Sequence, residues 1–433
     1  LPTNPSMLAG LRRSLFQTLS RRVFYGWVIL PVTAIVMFGS GPGQSHLIGL
    51  FFDPLSRELG LTRTSLAAAY GVATLMAAFL LPKLGSFIDK VGPVRMLWIL
   101  TLALGSACVL FSFASNWIYV AIGFGLLRFL GQGSLMLNCN NMVSQWFVRK
   151  RGFALGVMSL GFPISMAIHP PLCQWLIETI GWRETWIWLG ISTWIILLPP
   201  ILLFAYNKPE QVGLAPDGVI ATDDSLSSTT ITGMTRTAAL RTPAFYIITG
   251  SLFTLSMLVT ALHVENKGIL MEHGLSAQNA ASMFTVTGIT AAITMPIVGR
   301  MLDHFRTEWM LSGGLIIMVA SLFSVTLITG MSGAIIYALI FGINNAVTMT
   351  FVAFMWPRYF GRKHLGSIQG FGQMIVIVGA SLGPLPLAIA LDSTGSYDIT
   401  LRSLTILPIL LAFVALFLRP PKQLSQLTAS TAE

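Results

Sequence analysis

The sequence predicts an all-α membrane protein with twelve transmembrane helices, arranged as two pseudo-symmetric halves of six helices each. Three observations support this fold class. The composition is strongly apolar, the apolar residues form runs long enough to cross a bilayer, and the second half of the chain repeats features of the first.

The composition excludes an ordinary soluble domain. Hydrophobic residues make up 54% of the 433 residues and charged residues only 10%, whereas a soluble domain carries about 25% charged residues. A bilayer accommodates such a chain because a spanning helix closes its own backbone hydrogen bonds. The net charge of +10 does not indicate nucleic acid as a partner, since the basic residues lie in short clusters between apolar runs.

The reactive side chains do not form a pattern typical of an enzyme. Cys108, Cys139 and Cys173 lie inside apolar runs, with no paired spacing and no cluster of histidines beside them. We therefore expect no disulfide, no metal site and no cofactor. Since the sequence shows neither a nucleophile with its base nor a metal cluster, we also expect no catalytic residues.

The apolar runs are bounded by charged or turn residues, and a spanning helix needs about 20 apolar residues. The predicted spans one to twelve cover residues 24–50, 65–88, 96–114, 117–145, 152–177, 185–206, 243–270, 278–302, 309–329, 333–357, 365–391 and 398–418. They define a tail at 1–23, a first half at 24–206, a linker at 207–240, a second half at 241–418 and a tail at 419–433. The linker is the long polar stretch of the chain, with a run of Ser and Thr.

The basic residues predict the orientation of the spans. Most Lys and Arg fall in the tails and in the loops on the same side as the tails. The loops on the other side hold Arg57, Arg63, Arg183, Lys267 and Arg402. Because basic loops stay in the cytoplasm, we expect both termini there and a multi-pass location in the plasma (inner) membrane.

An internal repeat relates the two halves. A shift of 214 residues superposes Gly60-Leu61-Thr62 on Gly274-Leu275-Ser276, and Asp89 on Asp303. Two six-span halves of the same orientation imply a pseudo-two-fold axis along the membrane normal. A cavity between the halves, accessible alternately from each side, follows from that arrangement.

The loop between spans two and three has the sequence GSFIDKVGPVR, which resembles the signature loop of the major facilitator superfamily. Asp89 can receive charge from basic residues or from a helix N-terminus in one conformation, so we interpret the loop as a gate. The alternative is a set of ordinary interfacial charges. The residues of this gating motif are Gly85, Asp89, Lys90, Gly92 and Arg95, with Asp303 as the counterpart in the second half.

Two further strings narrow the resemblance. YGWV at the start of span one and WFVRKRGFALGVMSLG at the start of span five are similar to signatures of monocarboxylate transporters and of the related oxalate/formate antiporters. This resemblance implies transport of small organic anions, often with a proton, and an arginine in span eight that holds the carboxylate. Span eight of this chain has no charged residue there and offers Thr287, Thr290 and Thr294 instead.

Arg128, midway along span four, is the candidate replacement for the missing arginine. A charge near the membrane centre costs several kcal/mol unless it is paired or hydrated. The string RFLGQG resembles a second superfamily motif, whose arginine is associated with proton-linked antiporters. We interpret Arg128 as an anion anchor or as a modulator of a proton site. The alternative is an arginine that backbone carbonyls satisfy, holding span four against span one.

His46 is the second candidate, because it aligns with the first-span lysine of monocarboxylate transporters. A histidine can change charge near physiological pH and so couple a proton to an anion; the alternative is a satisfied residue near a helix end. Gly41-Pro42-Gly43 should interrupt span one just before Gln44, as at many transporter binding sites. Gln44, Asn345 and Gln373 are the predicted polar contacts of the substrate, although amides also hold helices together.

Two other polar strings lie outside the predicted substrate site. We expect His263, Glu265 and Lys267 to form a hydrated rim at the outer end of span seven. His169-Pro170-Pro171 is expected to break span five.

The functional hypothesis is alternating access, in which a small organic anion binds between the halves near mid-membrane. Since the chain lacks an ATP-binding GxxxxGK[ST] loop, energy should come from a gradient, most simply of protons. The alternatives are an exporter of amphipathic or lipophilic compounds and a non-transporting membrane sensor. The expected partners are the solute, a proton and membrane lipids, with the protein a monomer or weak oligomer.

Overall fold

The computed structural model describes residues 5–147, 150–218, 234–361 and 365–421. Within these ranges the chain is helical and contains no β-strand, as the sequence predicts. Arg149 of the span-five signature and most of the Ser/Thr run of the linker lie outside the described residues.

The helices follow the predicted spans. In the first half they are α1 (Pro5–Ser20), α2 (Gly26–Gly39), α3 (Ser45–Ile48), α4 (Phe52–Leu59), α5 (Arg63–Val91), α6 (Pro93–Phe111), α7 (Trp117–Leu127), α8 (Leu135–Trp146), α9 (Arg151–Ser159), α10 (Gly161–Ile180) and α11 (Trp182–Phe204). In the second half they are α12 (Arg236–Ala239), α13 (Pro243–Glu272), α14 (Ala277–His304), α15 (Thr307–Val325), α16 (Gly330–Phe360), α17 (Leu365–Leu382), α18 (Pro384–Thr394), α19 (Asp398–Leu404) and α20 (Ile406–Ala415).

Eleven helices in the described ranges are long and apolar enough to cross a membrane, and α2 is a shorter apolar helix at the position of span one. Span one is short because its helix stops at Gly39 and the chain then forms a 3₁₀ turn over Gly41–Gly43. Pro42 lacks a backbone N–H and cannot continue the α-helical hydrogen bonds. The predicted interruption of span one is therefore confirmed.

The repeat is visible in the backbone as well as in the sequence. Helix α6 begins and ends 214 residues before α15, and the start of α14 follows the start of α5 by the same number. Gly60 (φ 65°) and Gly274 (φ 86°), also related by this shift, end α4 and α13 in the left-handed conformation that glycine adopts without strain.

Span five differs from its prediction. Helix α10 continues through Pro170 and Pro171, so the predicted break is wrong. Proline removes single hydrogen bonds from a helix, and neighbouring helices and hydroxyl side chains can compensate for that loss within a membrane.

Packing divides the chain into two compact units, each with its own core. The first comprises Leu1–Ile48 and Met76–Ser225, and the second comprises Gly49–Leu75 and Leu226–Glu433. The residues that connect spans one and two therefore pack with the helices of the second half.

An aromatic cluster joins the start of span one to the end of span six within the first unit. The ring of Tyr25 lies 5.8 Å from that of Trp146 and 5.6 Å from that of Tyr206, measured between centroids. The hydroxyl of Tyr25 donates a hydrogen bond of 3.0 Å to the carbonyl oxygen of Phe204.

We expect Tyr25→Phe to lower the free energy of unfolding by about 1 kcal/mol, because the substitution removes that one hydrogen bond and keeps the ring. The measurement is thermal unfolding of the purified protein in detergent. Tyr246→Phe is the control, since Tyr246 is 65% exposed. Equal stability of the Tyr25 variant and wild type would contradict the prediction.

Candidate substrate site

The interrupted part of span one packs directly against the backbone of span four. A Cβ atom on Gly43 would lie 2.3 Å from the carbonyl oxygen of Leu127 and 2.8 Å from the Cα of Gly131. In turn, a Cβ atom on Gly131 would lie 3.0 Å from the carbonyl oxygen of Ser40. Only glycine permits this approach, so the two irregular segments fix each other's position.

Span four is itself irregular at this point. Residues Arg128–Ser134 form a π-helical turn between α7 and α8, and the hydroxyl of Ser134 donates a 2.6 Å hydrogen bond to the carbonyl oxygen of Phe129. Such π-turns occur mostly as single insertions in α-helices, frequently at functional sites. Two irregular helical segments, one in span one and one in span four, thus contact each other within the first unit.

Arg128 lies at this junction and is only 4% exposed. Its Nη1 atom donates hydrogen bonds to the carbonyl oxygen of Gly43 at 3.2 Å and to Oγ of Ser45 at 3.1 Å. The guanidinium therefore holds span four on the break in span one, as the carbonyl-bonded alternative described. The same contacts keep a permanent positive charge beside the break, because an arginine does not lose its proton in proteins.

Gln44 and His46 are buried next to this arginine. The side-chain nitrogen of Gln44 donates to Oγ of Ser40 at 3.1 Å. The imidazole of His46 is 0% exposed and lies edge-on to Phe162, with 5.5 Å between ring centroids. The structure thus brings three of the predicted site residues, Arg128, Gln44 and His46, into one buried region.

Span five forms a further wall of this region. Nδ1 of His169 lies 2.8 Å from Oγ of Ser165, and the His169 ring lies 4.5 Å from that of Phe38 between centroids. A Cβ atom on Gly41 would approach Nδ1 of His169 to 2.8 Å. Sequence reasoning did not find Ser45 or Ser165, since isolated serines in apolar spans have no distinguishing pattern.

The other two predicted substrate contacts lie in the second unit. Asn345 donates from Nδ2 to the carbonyl oxygen of Phe341 at 2.8 Å, and its buried Oδ1 has no hydrogen-bond partner among the described residues. Gln373 is half-buried on α17. Thr287 of span eight bonds to the carbonyl oxygens of Met283 (3.0 Å) and Ala338 (3.3 Å), a contact that joins α14 to α16.

The gating motif lies at the junction of α5 and α6. Gly85 and Asp89 lie within α5, but the surroundings of Gly85 and the side chain of Asp89 are outside the described part of the structure. Lys90 and Arg95 are exposed. Gly92 has φ 90° and precedes α6. Asp303 is exposed near the end of α14, and the gating role of the motif stays a prediction.

The predicted hydrated rim at the end of span seven is wrong. Glu265 is 0% exposed and Lys267 is 4% exposed. Arg63 pairs with Glu265 at 2.6 Å, and Asp53 pairs with Lys267 at 2.9 Å. These partners are about 200 residues away in the sequence, so the sequence alone showed the charges of span seven without their countercharges.

The spans and their apolar composition define an integral, multi-pass membrane protein. The Major Facilitator Superfamily matches residues 32–268 and 252–432. The chain therefore belongs to this superfamily, whose members are transporters.

Individual relatives agree with the resemblance to the monocarboxylate transporter and oxalate/formate antiporter group. The probable sulfoacetate transporter SauU of Cupriavidus necator is 32% identical over 33% of this chain and 34% of its own length. The oxalate:formate antiporter of Oxalobacter formigenes is 24% identical over 55% of this chain and 53% of its own length. The matches thus span about a third and about half of these two relatives.

A solved structure shows the same fold. The crystal structure of a bacterial homologue of the human lysosomal transporter Spinster, in an inward-facing and occupied conformation, is similar with a TM-score of 0.67. The match covers 90% of this chain and 95% of that chain at 15% identity. The likeness confirms the predicted fold class.

Proposed function

We propose that this protein is a secondary transporter of small organic anions, working by alternating access and linked to protons. The observation that carries the proposal is the buried guanidinium of Arg128 at the junction of two irregular helices. A permanent charge inside a membrane protein marks a substrate or ion pathway by default. Broken helices mark binding sites in many transporters.

The chemistry of the junction suits a carboxylate or sulfonate. Arg128 supplies the positive charge, and the Ser45 hydroxyl, which accepts a hydrogen bond from it, and the neighbouring Gln44 amide are further polar groups of the region. A guanidinium binds such planar or forked oxyanions through two parallel hydrogen bonds. The names of the two relatives, a probable sulfoacetate transporter and an oxalate:formate antiporter, support the same substrate class.

His46 is the group that we propose for proton linkage within this region. It is a buried residue on the short helix α3, between Ser45 of the Arg128 contact and the ring of Phe162. A histidine that gains a proton there adds a second positive charge for the anion. Asn345 and Gln373 complete the proposed polar contacts from the second half.

The test is uptake of labelled formate, oxalate and sulfoacetate into liposomes that contain the purified protein. We expect uptake of at least one anion, accelerated by an inward proton gradient and blocked by the other unlabelled anions. Empty liposomes are the control for passive entry of protonated acids. No uptake of any of the three by folded protein would contradict the proposal.

One observation favours the alternative of a transporter for lipophilic compounds. A groove of about 470 Å³ in the second unit is lined almost entirely by apolar side chains. Its lining includes Phe245, Tyr246, Phe253, Phe371 and Ile375. Inhibition of anion uptake by neutral hydrophobic compounds, lost in Phe371→Ala, would support this alternative. Inhibition by carboxylates alone would exclude the groove from the transport route.

A further inference from the structure

A buried ion cluster lies within the second unit. It consists of Asp53, Arg63, Glu265, Lys267 and Tyr397. Asp53 belongs to the connection between spans one and two, and Arg63 is the first residue of α5. Glu265 and Lys267 belong to span seven, and Tyr397 lies just before α19. The cluster is almost sealed from solvent, since Arg63 is 9% exposed and Glu265 is 0% exposed.

The two acids of the cluster are held differently. Asp53 pairs with both Arg63 and Lys267, and Lys267 also donates a 2.9 Å hydrogen bond to the carbonyl oxygen of Leu50. Glu265 pairs with Arg63 through Oε2 at 2.6 Å. The hydroxyl of Tyr397 donates to the same Oε2 at 2.8 Å, whereas Oε1 has no hydrogen-bond partner in the part of the chain described.

Among the described residues, the ion pair that stabilises the charge of Glu265 is the one with Arg63. Burial raises the pKa of Asp53, but Arg63 and Lys267 together lower it below its ordinary value, so Asp53 stays ionised. Burial also raises the pKa of Tyr397, which keeps the phenol a neutral donor. Lys267 lies two residues from Glu265 on α13, and residues at that spacing do not face each other on a helix.

The pair joins a segment of the first sequence repeat to one of the second, and the proposed alternating access would separate these two segments. Arg63 begins α5, in a stretch that follows span one, while Glu265 belongs to span seven of the other repeat. The two segments touch closely here. A Cβ atom on Gly49 would lie 2.0 Å from the carbonyl oxygen of Val264. The same stretch also contacts α18, where the N–H of Thr64 donates to Asp392 at 2.7 Å.

We propose that Glu265 is a second proton-binding residue of the transport cycle, required beside His46 for proton linkage, and that Arg63 is its exchangeable countercharge. This inference rests on the proposed proton-linked transport. When the face opens, the Arg63–Glu265 ion pair breaks and a proton from the medium on that side bonds to the Glu265 carboxylate. When the face closes, the guanidinium of Arg63 takes the place of the proton, which is released to the water on the other side of the membrane.

The surrounding charges determine this exchange. Asp53 and Arg57 lie on α4 with the connection that carries Arg63, so they withdraw with it. Lys267 and Tyr397 stay with Glu265. A carboxylate that loses its cation in a largely apolar region is more stable in its neutral form, because an unpaired buried charge is costly.

The first experiment uses Glu265→Gln in liposomes, with labelled formate, oxalate and sulfoacetate as probes. We expect the variant to lose the acceleration by an inward proton gradient, while exchange of internal for external anion at equal pH on both sides remains measurable. For a single proton that acceleration is up to about tenfold per pH unit. Glu58→Gln is the matched control, because Glu58 is exposed on α4. Acceleration that survives in Glu265→Gln would overturn the inference while leaving anion transport intact.

The second experiment measures proton binding without transport. Infrared spectra of purified wild type should show a carboxylic-acid band that grows with acidity and is absent from Glu265→Gln. Arg63→Gln should move the appearance of this band toward neutral pH by about 1 unit or more, since a nearby opposite charge has about that effect on a carboxyl. Arg63→Lys keeps the positive charge and should shift the pH at which the band appears by less. It is the variant to use if Arg63→Gln does not fold.

Identical spectra of wild type and Glu265→Gln would overturn the inference. So would a band whose titration does not depend on Arg63. This second experiment needs no substrate. If the wild-type protein transports none of the three anions, the proposed function is refuted, but the infrared spectra still decide whether Glu265 binds a proton.

Discussion

Arg128→Ala should reduce anion uptake at least about thirtyfold. Truncating one partner of a buried, hydrogen-bonded charge pair costs about 2 kcal/mol or more, and about 1.4 kcal/mol corresponds to a factor of ten. In the proposed complex the carboxylate loses the permanent cation that lies beside the break in span one. The measurement is the initial rate of labelled oxalate or formate uptake as a function of concentration, at equal pH on both sides.

The design of this test must separate binding from folding, because Arg128 also bonds to Gly43 and Ser45. Arg128→Lys keeps the charge but cannot form the guanidinium fork, so we expect it to transport with a raised KM. Lys83→Ala is the matched control, since Lys83 is an exposed basic residue on α5. Thermal unfolding of each variant confirms that it is folded. A folded Arg128→Ala protein with wild-type kinetics would contradict the anion-anchor interpretation.

The fold could be predicted from the sequence because its determinants are periodic and local. Apolar runs specify membrane helices, and the backbone shows the 214-residue repeat in α6 and α15 and in the left-handed glycines Gly60 and Gly274. The interruption at Gly41–Gly43 was also predictable, since glycine and proline act on their own backbone.

The candidate site was predictable only in part. A single arginine in a span is conspicuous because it is costly there, so Arg128 could be found. The groups that accept hydrogen bonds from Arg128 could not be predicted, because Gly43 and Ser45 are 85 and 83 residues away in the chain. The π-turn over Arg128–Ser134 also has no sequence signature that we recognised.

Long-range pairing explains the largest error. In the sequence, Glu265 and Lys267 are two charged residues near the end of a span, a position that favours a hydrated rim. In the structure Asp53 and Arg63 neutralise them, so the four charges can be buried together. Two acids facing two bases at a distance of about 200 residues form a pattern that composition and periodicity do not reveal.

Gly43→Ala should abolish most transport and destabilise the protein by about 1 to 3 kcal/mol, the usual cost of overpacking. The added methyl group would lie 2.3 Å from the carbonyl oxygen of Leu127. This neighbour is backbone and cannot rotate away, so span one or the π-turn of span four must shift. The shift moves the carbonyl oxygen of Gly43, which accepts from Arg128, and so displaces the proposed anion anchor. Uptake rates and thermal unfolding in detergent measure the two effects.

Gly313→Ala is the matched control for this substitution. Gly313 lies on α15, and a Cβ atom there would have no neighbour within 4 Å. Replacing a helical glycine by alanine at an open position stabilises a helix by up to about 1 kcal/mol, so we expect this variant to be at least as stable as wild type and fully active. Gly131→Ala should resemble Gly43→Ala, because its Cβ atom would lie 2.9 Å from the Cα of Gly43. Wild-type transport by both glycine variants would contradict the prediction. In that case the close packing of spans one and four is not what positions Arg128, and other contacts of Arg128 must position it.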